Sequence, residues 1–206
     1  NRLHGWGNDV RLTNNGSSYE LSLGIDSQGN VHVVWEEYMN GHNEIYYTKL
    51  DNNGNTLVDD LRLTFGSAIL PYSFTLNPSL AIDAQGNVHV VWEDYRSGDW
   101  EIYYKKLDNN GNTLINDTRL TFAIGDSVYP SLGIDSQGNV HVTWIDRRSG
   151  YRYVYYKKLD NNGNTLVNER VANFYISVLN FPPSLAIDAQ GNVHVVWTTG
   201  TGVSGY

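Results

Sequence analysis

The sequence predicts an all-β chain, and three observations carry that prediction. A 14-residue block recurs four times almost unchanged, Gly-bearing turn signals separate short runs rich in β-branched and aromatic residues, and no stretch has helical period. The block S-L-G-I-D-S-Q-G-N-V-H-V-V-W starts at Ser22 and returns at Ser79, Ser131 and Ser184, at spacings of 57, 52 and 53 residues. Its second and fourth copies are identical, and the first and third differ only at Val34 versus Thr143, which points to duplication of a two-repeat unit. A second block, Y-Y-x-K-L-D-N-N-G-N-T-L, follows at Tyr46, Tyr103 and Tyr155. A third, D-x-R-L-T, appears at Asp9, Asp60 and Asp117, with a weaker copy at 169–173.

Each repeat reads as four strands, illustrated by the second copy. Ser79–Asp83 is a short first strand, closed by a Gln-Gly-Asn turn whose glycine supplies positive φ. Val88–Tyr95 is the β-branched second strand, and Glu101–Leu107 is a third strand with large residues on both faces. The Asp-Asn-Asn-Gly-Asn turn ends it, and the fourth strand is expected at Thr118–Phe122. Four antiparallel strands in about 50 residues make one blade of a β-propeller. Packing between blades on both sides accounts for the lack of a cleanly polar face in Val88-His89-Val90-Val91-Trp92. Gly24, Ala81, Gly133 and Ala186 share one first-strand position, where small side chains suit close approach near the axis.

Residues 1–206 are therefore expected to form one propeller domain, with repeats near 22–78, 79–130, 131–183 and 184–206 and an N-terminal strand in 1–13. That inventory is three complete blades plus a fourth assembled from terminal strands and lacking its third. Either a four-bladed ring closes irregularly, or the chain belongs to a longer propeller or repetitive surface protein. Open strand edges make self-association a further expectation.

Composition narrows the function. With 14 Lys+Arg against 22 Asp+Glu and a net charge of −8, the chain lacks the basic surface that nucleic acid requires. It has no cysteine, which excludes disulfides, thiolate metal sites and a Cys nucleophile. No apolar run approaches the roughly 18–20 residues of a membrane-spanning helix. Only 17% of residues are charged and 13% are aromatic, a balance common in turn-rich β proteins.

The repeat unit, from S-L-x-I-D-x-x-G-N-V-H-V-x-W through D-N-N-G-N-T-L to D-x-R-L-T, resembles the Asp-box (BNR) repeats of sialidase-like propellers. In that family the turn between third and fourth strands reads S-x-D-x-G-x-T-W. Here 50–57 keeps Gly54 and Thr56 but has Leu50, Asn52 and Leu57 where the family has Ser, Asp and Trp. The resemblance implies a propeller and, for a sialidase, an arginine triad, a Tyr–Glu nucleophile pair and an Asp acid/base on the axial face. The family's early Arg-Ile-Pro motif is missing. Arg11, Arg62 and Arg119 fall in fourth strands, where salt bridges to turns are expected, while Arg96, Arg147 and Arg148 fall in loops on the axial face.

His32, His89, His141 and His194 share one second-strand position and are expected to fill a hydrogen-bonded niche in each blade rather than to bind metal. Trp35, Trp92, Trp144 and Trp197 are expected between blades, their indole N–H groups needing buried partners. No cofactor is expected. Calcium is the one metal the Asp-Asn-Asn-Gly-Asn turns could recruit, although they lack the alternating ligands of an EF-hand and read better as side-chain-to-backbone turns.

The variable loops, between fourth and first strands and between second and third, emerge on one face. They supply the candidate ligand-binding set Glu36, Glu93, Asp94, Tyr95, Arg96, Trp100, Asp146, Arg147, Tyr72 and Tyr129. Aromatic rings beside carboxylates and amides suit sugars. The expected function is a non-catalytic, extracellular or cell-surface binding propeller whose partner is a glycan or cell-surface polysaccharide. The alternatives are a fragment of a sialidase-like glycoside hydrolase, acting through Glu36, Glu93, Asp94 or Asp146, and a structural repeat protein of a surface layer or filament.

Overall fold

The Asp-x-x-Gly-Asn segments act as identical staples. Asp26 Oδ1 accepts from the backbone N–H groups of Gln28 and Asn30, both at 2.9 Å, and Oδ2 accepts from Asn30 Nδ2. The backbone then turns at Gly29, whose φ of +83° an L side chain rarely adopts. Asp51, Asp108 and Asp160 repeat the arrangement in the turns between third and fourth strands. These aspartates are thus the side-chain-to-backbone turn residues that their sequence suggested.

In the computed structural model, which describes residues 11–13, 16–39, 41–65, 74–176 and 182–198, these turns join fourteen strands. β1 (Ser17–Ile25), β2 (Val31–Met39), β3 (His42–Leu50) and β4 (Thr56–Arg62) form the first antiparallel sheet. β5 (Thr75–Ile82), β6 (Val88–Asp94), β7 (Glu101–Leu107) and β8 (Thr113–Arg119) form the second. β9 (Ser127–Ile134), β10 (Val140–Asp146), β11 (Arg152–Leu159) and β12 (Thr165–Ile176) form the third. β13 (Ser184–Ile187) and β14 (Val193–Val196) pair as a fourth, two-stranded sheet. The fold is an all-β propeller of four-stranded blades. No described helix is long and apolar enough to cross a membrane.

The fourth strand begins earlier than the sequence suggested: β8 runs from Thr113, not Thr118. The Asn-Gly-Asn turn is tight enough that Leu107 pairs with Thr113 at once. β8 ends at Arg119, which pairs with Tyr103, and past it Leu120 N–H donates to Ile102 O at 2.7 Å while Thr121 Oγ1 accepts from Ile102 N–H at 2.9 Å. Strand 1 likewise starts before its serine, because a bulge lies ahead of Ser79.

The core lies between blades. Val34, Tyr47 and Leu63 of the first blade pack against Leu80, Val90 and Trp92 of the second. Tyr104 and Leu120 meet Leu132, Val142 and Trp144 in the next interface. Small first-strand residues are needed there: a Cβ on Gly24 would stand 2.8 Å from Leu80 Cδ1, and one on Gly133 2.7 Å from Leu185 Cδ2. Hydrogen bonds cross the same interfaces, from Leu80 N–H to Ser22 Oγ at 3.1 Å and from Lys105 Nζ to Leu63 O at 2.8 Å. On the outer side of the first blade, Leu21, Leu23 and Ile25 are more than half exposed, whereas Leu80 and Leu132, the counterparts of Leu23, are each 6% exposed.

The histidines occupy the niche expected of them. His89 lies between Asp83 Oδ2 at 3.2 Å and the Tyr104 hydroxyl at 2.9 Å, and burial brings it down to about 4. A neutral ring with Nε2–H donating to Asp83 and Nδ1 accepting from Tyr104 satisfies both contacts. His32 and His141 repeat this with Tyr47 and Tyr156, while His194 keeps its bond to Asp188 with a largely exposed side chain. The indoles are also partnered: Trp35 Nε1 donates to Glu37, Trp92 to Asp94 and Trp144 to Asp146, at 2.8, 3.0 and 3.1 Å. Arg62 and Arg119 bridge to Glu44 and Glu101 on the third strand rather than to turns, because Tyr46 pairs with Arg62 and Tyr103 with Arg119 and so sets each arginine near the glutamate.

Candidate functional site

The innermost strands bring one position of every repeat together. Glu20, Asn77, Tyr129 and Pro182 each stand two residues before the serine that opens a repeat. Ser22, Ser79, Ser131 and Ser184, with Glu20, Asn77 and the neighbouring prolines, line an axial cavity of about 230 Å³. Glu20, Asn77 and Tyr129 adopt φ of 36°, 51° and 57°, a region most L residues avoid. The strain has a local cause. The ladder slips at this point in β1, β5 and β9, and in the last two copies a proline follows directly, which pushes the preceding residue away from helical geometry. Such conformations cost about 1–3 kcal/mol each and persist only where neighbours hold them.

Glu36 and Glu93 are those neighbours. Each follows the repeat tryptophan on strand 2 and is almost fully buried, at 5% and 3% exposure. Glu93 Oε1 accepts from Asn77 Nδ2 and from Tyr129 N–H, the latter at 3.3 Å. Glu36 accepts from Asn43 Nδ2 and from the backbone N–H of Asn77. Each glutamate therefore grips the bulge of the following blade, and Asn77 touches both. Burial pushes the Glu93 carboxyl up to about 7; the amides of Asn77 and Tyr129 pull it back, and the Glu36 charge raises it further. Burial also raises Glu36, with the Glu20 charge adding to it. In the third blade this position is Ile145, and the bulge residue it would grip is Pro182, which has no N–H to offer.

The other sequence-predicted residues are distributed around this centre. Asp94 is fully buried and accepts from Trp92 Nε1 and from Arg96, whose Nη1 reaches outward to Asp117 on β8 at 3.0 Å. Asp146, Arg148 and Glu169 repeat that arrangement. Arg147 pairs with Asp126 at 3.1 Å, with its Nε buried and unpartnered. Tyr95 and Trp100 pack ring to ring at 5.3 Å between centroids, and Trp100 also lies against the cluster of Val128, Ile145 and Val154. Tyr72 lies outside the described residues. Loop-to-loop hydrogen bonds, Tyr95 N–H to Phe74 O and Ser127 N–H to Trp100 O, hold both loop sets on one face. Exposed aromatics of the rim are Tyr19, Tyr38 and Tyr151. Among the described residues, no group of three or more His, Asp or Glu is placed to hold a metal.

Sequence reasoning missed Glu20 and Asn77 as members of the axial set. The signal for Asn77 was available in the column Asn77-Pro78, Tyr129-Pro130 and Pro182-Pro183, where a conformationally restricted pair precedes three of the four repeats, whereas Glu20 is followed by Leu21 and lacks it.

Comparison with known proteins places this geometry in a fold. No family model matches the chain, and no curated protein matches it. Solved structures do match. The α-L-arabinanase of Penicillium chrysogenum, determined with arabinobiose, superposes with a TM-score of 0.64 at 12% identity, over 89% of this chain and 59% of that one. An endo-arabinase from Bacteroides thetaiotaomicron gives 0.53 at 16% identity, over 84% and 67%. A Hadza microbial sialidase gives 0.59 at 10% identity, over 82% and 39%. The chain shares the β-propeller fold of these enzymes and spans 39–67% of their lengths.

Proposed function

We propose that the chain binds carbohydrate at the axial mouth and does not hydrolyse it. One observation carries the choice of binding over catalysis. Glu36 and Glu93 are almost fully buried and accept from the strained bulges, which leaves Glu20 as the one described carboxylate lining the cavity, without the second acid that a glycosidase pair needs. What the mouth offers is Glu20 and Asn77 around a small cavity, with serine hydroxyls below and tyrosine rings at the rim, while the Tyr129 ring packs on Val128, Ile145 and Val154. Such a set can stack on a sugar face and exchange hydrogen bonds with its hydroxyls. The glycan-acting enzymes that share the fold support a carbohydrate ligand by analogy. The Asp-box-like reading of the repeat rests on the retained Gly54 and Thr56, since the hairpin Asp51 falls one position before the family's Asp, where this chain has Asn52.

A glycan array, followed by calorimetry on the hits, tests the proposal. Binding that Glu20→Gln weakens, with the melting temperature unchanged, is the expected result. Turnover of arabinan or a sialoside by the purified chain would instead favour the hydrolase alternative, and a folded protein without any glycan hit would end the binding reading. An extracellular or surface location belongs to the same proposal and is checked by fractionating the source cells. Self-association is read as contact between the apolar outer face of β1 in one copy and the fourth blade of another, which sedimentation at increasing concentration detects.

A further inference from the structure

The second and third blades share a charged cluster on their outer side. In the second, Arg96 lies between Asp94 and Asp117 with its guanidinium carbon 4.6 Å from the centre of the Tyr103 ring, and Lys105 Nζ reaches Asp117 at 2.9 Å. In the third, Arg148 lies between Asp146 and Glu169, 4.2 Å from the Tyr155 ring centre, with Lys157 beside Glu169 at 3.9 Å. Each cluster combines two carboxylates, an aromatic face and two cations, and the arginine side chains remain about one-quarter exposed.

The first blade keeps the acids and the ring but neither cation. Strand pairing aligns Glu37 with Asp94, Asp60 with Asp117 and Tyr46 with Tyr103. The arginine position is Met39 and the lysine position is Thr48, whose hydroxyl donates to Val58 O. Glu37 is 3% exposed, and its Oε2 accepts from Trp35 and Ser18. Its Oε1 and Asp60 Oδ1 are buried without a partner, an expensive state for acceptors that carry charge. Beside Glu37, Met39 and Tyr46 lies a cavity of about 100 Å³, which also meets His42, whose buried Nδ1 is unpartnered too. Arg62 borders the cavity but donates to Glu44, as Arg119 does to Glu101, and so does not take the missing arginine's place.

We propose that the slot beside Glu37 and Tyr46, with Asp60 near it on β4 but outside the cavity lining, binds a guanidinium or alkylammonium group brought by a ligand, in the position that Arg96 and Arg148 fill from within their own blades. The two acids neutralise the charge and accept its N–H groups, and the Tyr46 ring offers the stacking face. The absence of a three-ligand His/Asp/Glu cluster among the described residues favours an organic cation over a metal ion. The shared chemistry has two sources, a free small guanidinium compound or an arginine side chain on a peptide.

Met39 is the only methionine, so methyl-labelled protein carries one NMR signal at the slot. At constant ionic strength, methylguanidinium is expected to shift that signal saturably, while sodium chloride does not. The shift is expected to vanish in Asp60→Asn. Nα-acetyl-arginine methylamide tests the peptide-borne source: saturation with it supports an arginine side chain, and saturation with methylguanidinium alone supports a free compound. Met39→Arg supplies the group internally and is expected to raise the melting temperature. In that variant, methylguanidinium should no longer add to the melting temperature as it does in the parent. A parent chain that responds to neither probe, or that responds to calcium at lower concentration than to methylguanidinium, overturns the proposal.

Discussion

Replacing Glu93 by Gln tests the tether between blades through its pH dependence. The glutamate Oε1 accepts from both Asn77 Nδ2 and Tyr129 N–H, so a neutral carboxyl makes both bonds as well as an ionised one does. Burial lifts this carboxyl from the usual 4.5 to about 7, so between those values the folded chain holds a proton that the unfolded chain releases. Its contribution is therefore fully present below about pH 4.5 and is lost as pH rises through 7, an effect on the order of 3 kcal/mol. Gln keeps the accepting oxygen and never ionises. The variant should match the parent near pH 5 and exceed it by about 2–3 kcal/mol at pH 8, with the Glu36 repulsion also relieved. The buried histidines tilt stability the other way, since each is held below its usual value and resists protonation as pH falls. They are common to both proteins, so the difference between parent and variant in urea unfolding at each pH isolates Glu93. A pH-independent difference, or a variant weaker than the parent at pH 8, would refute the neutral tether.

Three further outcomes follow from the packing. Stability is expected to fall as pH drops from about 6.5 towards 4, because His89 is neutral in the fold, and His89→Gln should flatten that slope in the same urea series. Gly133→Val is expected to cost about 1–3 kcal/mol and to lower the melting temperature, since even a Cβ there would meet Leu185 at 2.7 Å. Ile145→Glu should destabilise by roughly 1–3 kcal/mol, as it buries an acid with no bulge N–H to grip. Adding Pro182→Asn should recover part of that loss, and strictly additive costs in denaturant titrations would remove the tether account.

Much of the fold was legible because the repeats print the same local chemistry several times. Asp26, Gly29 and Asn30 spell a turn by themselves, and His32 six residues after Asp26 already implies the buried pair. The site was legible only in part. Arg96 sits in a loop on the face that carries the variable loops, yet its partner Asp117 lies 21 residues away on the outer strand, and only the sheet register reveals that the guanidinium points outward. Glu93 and Tyr129 were visible as loop residues, but their contact spans 36 residues and two blades. The positive φ at Asn77 and Tyr129 had no glycine to announce it, because the glutamate beneath, not the residue itself, sustains the strain.

Departures from the repeat fall into two physical kinds, and the difference bears on function. Ile145 replaces a tether glutamate where Pro182 has removed the N–H that the tether would hold, so donor and acceptor disappear together. At the outer cluster of the first blade the loss is one-sided. Both cations are gone while Glu37 and Asp60 remain, with buried oxygens unpartnered. Burial, together with the charges of Asp59 and Glu37, lifts the Asp60 carboxyl, the cost expected when acids crowd without a counter-charge. A compensated change restores the balance of the core and requires nothing from outside. An uncompensated one leaves a deficit of the sign and shape of a guanidinium, which a ligand can make good. The same comparison separates the axial mouth, where the bulges are held from within, from the slot beside Met39, where the structure supplies every part of a cluster except its cations.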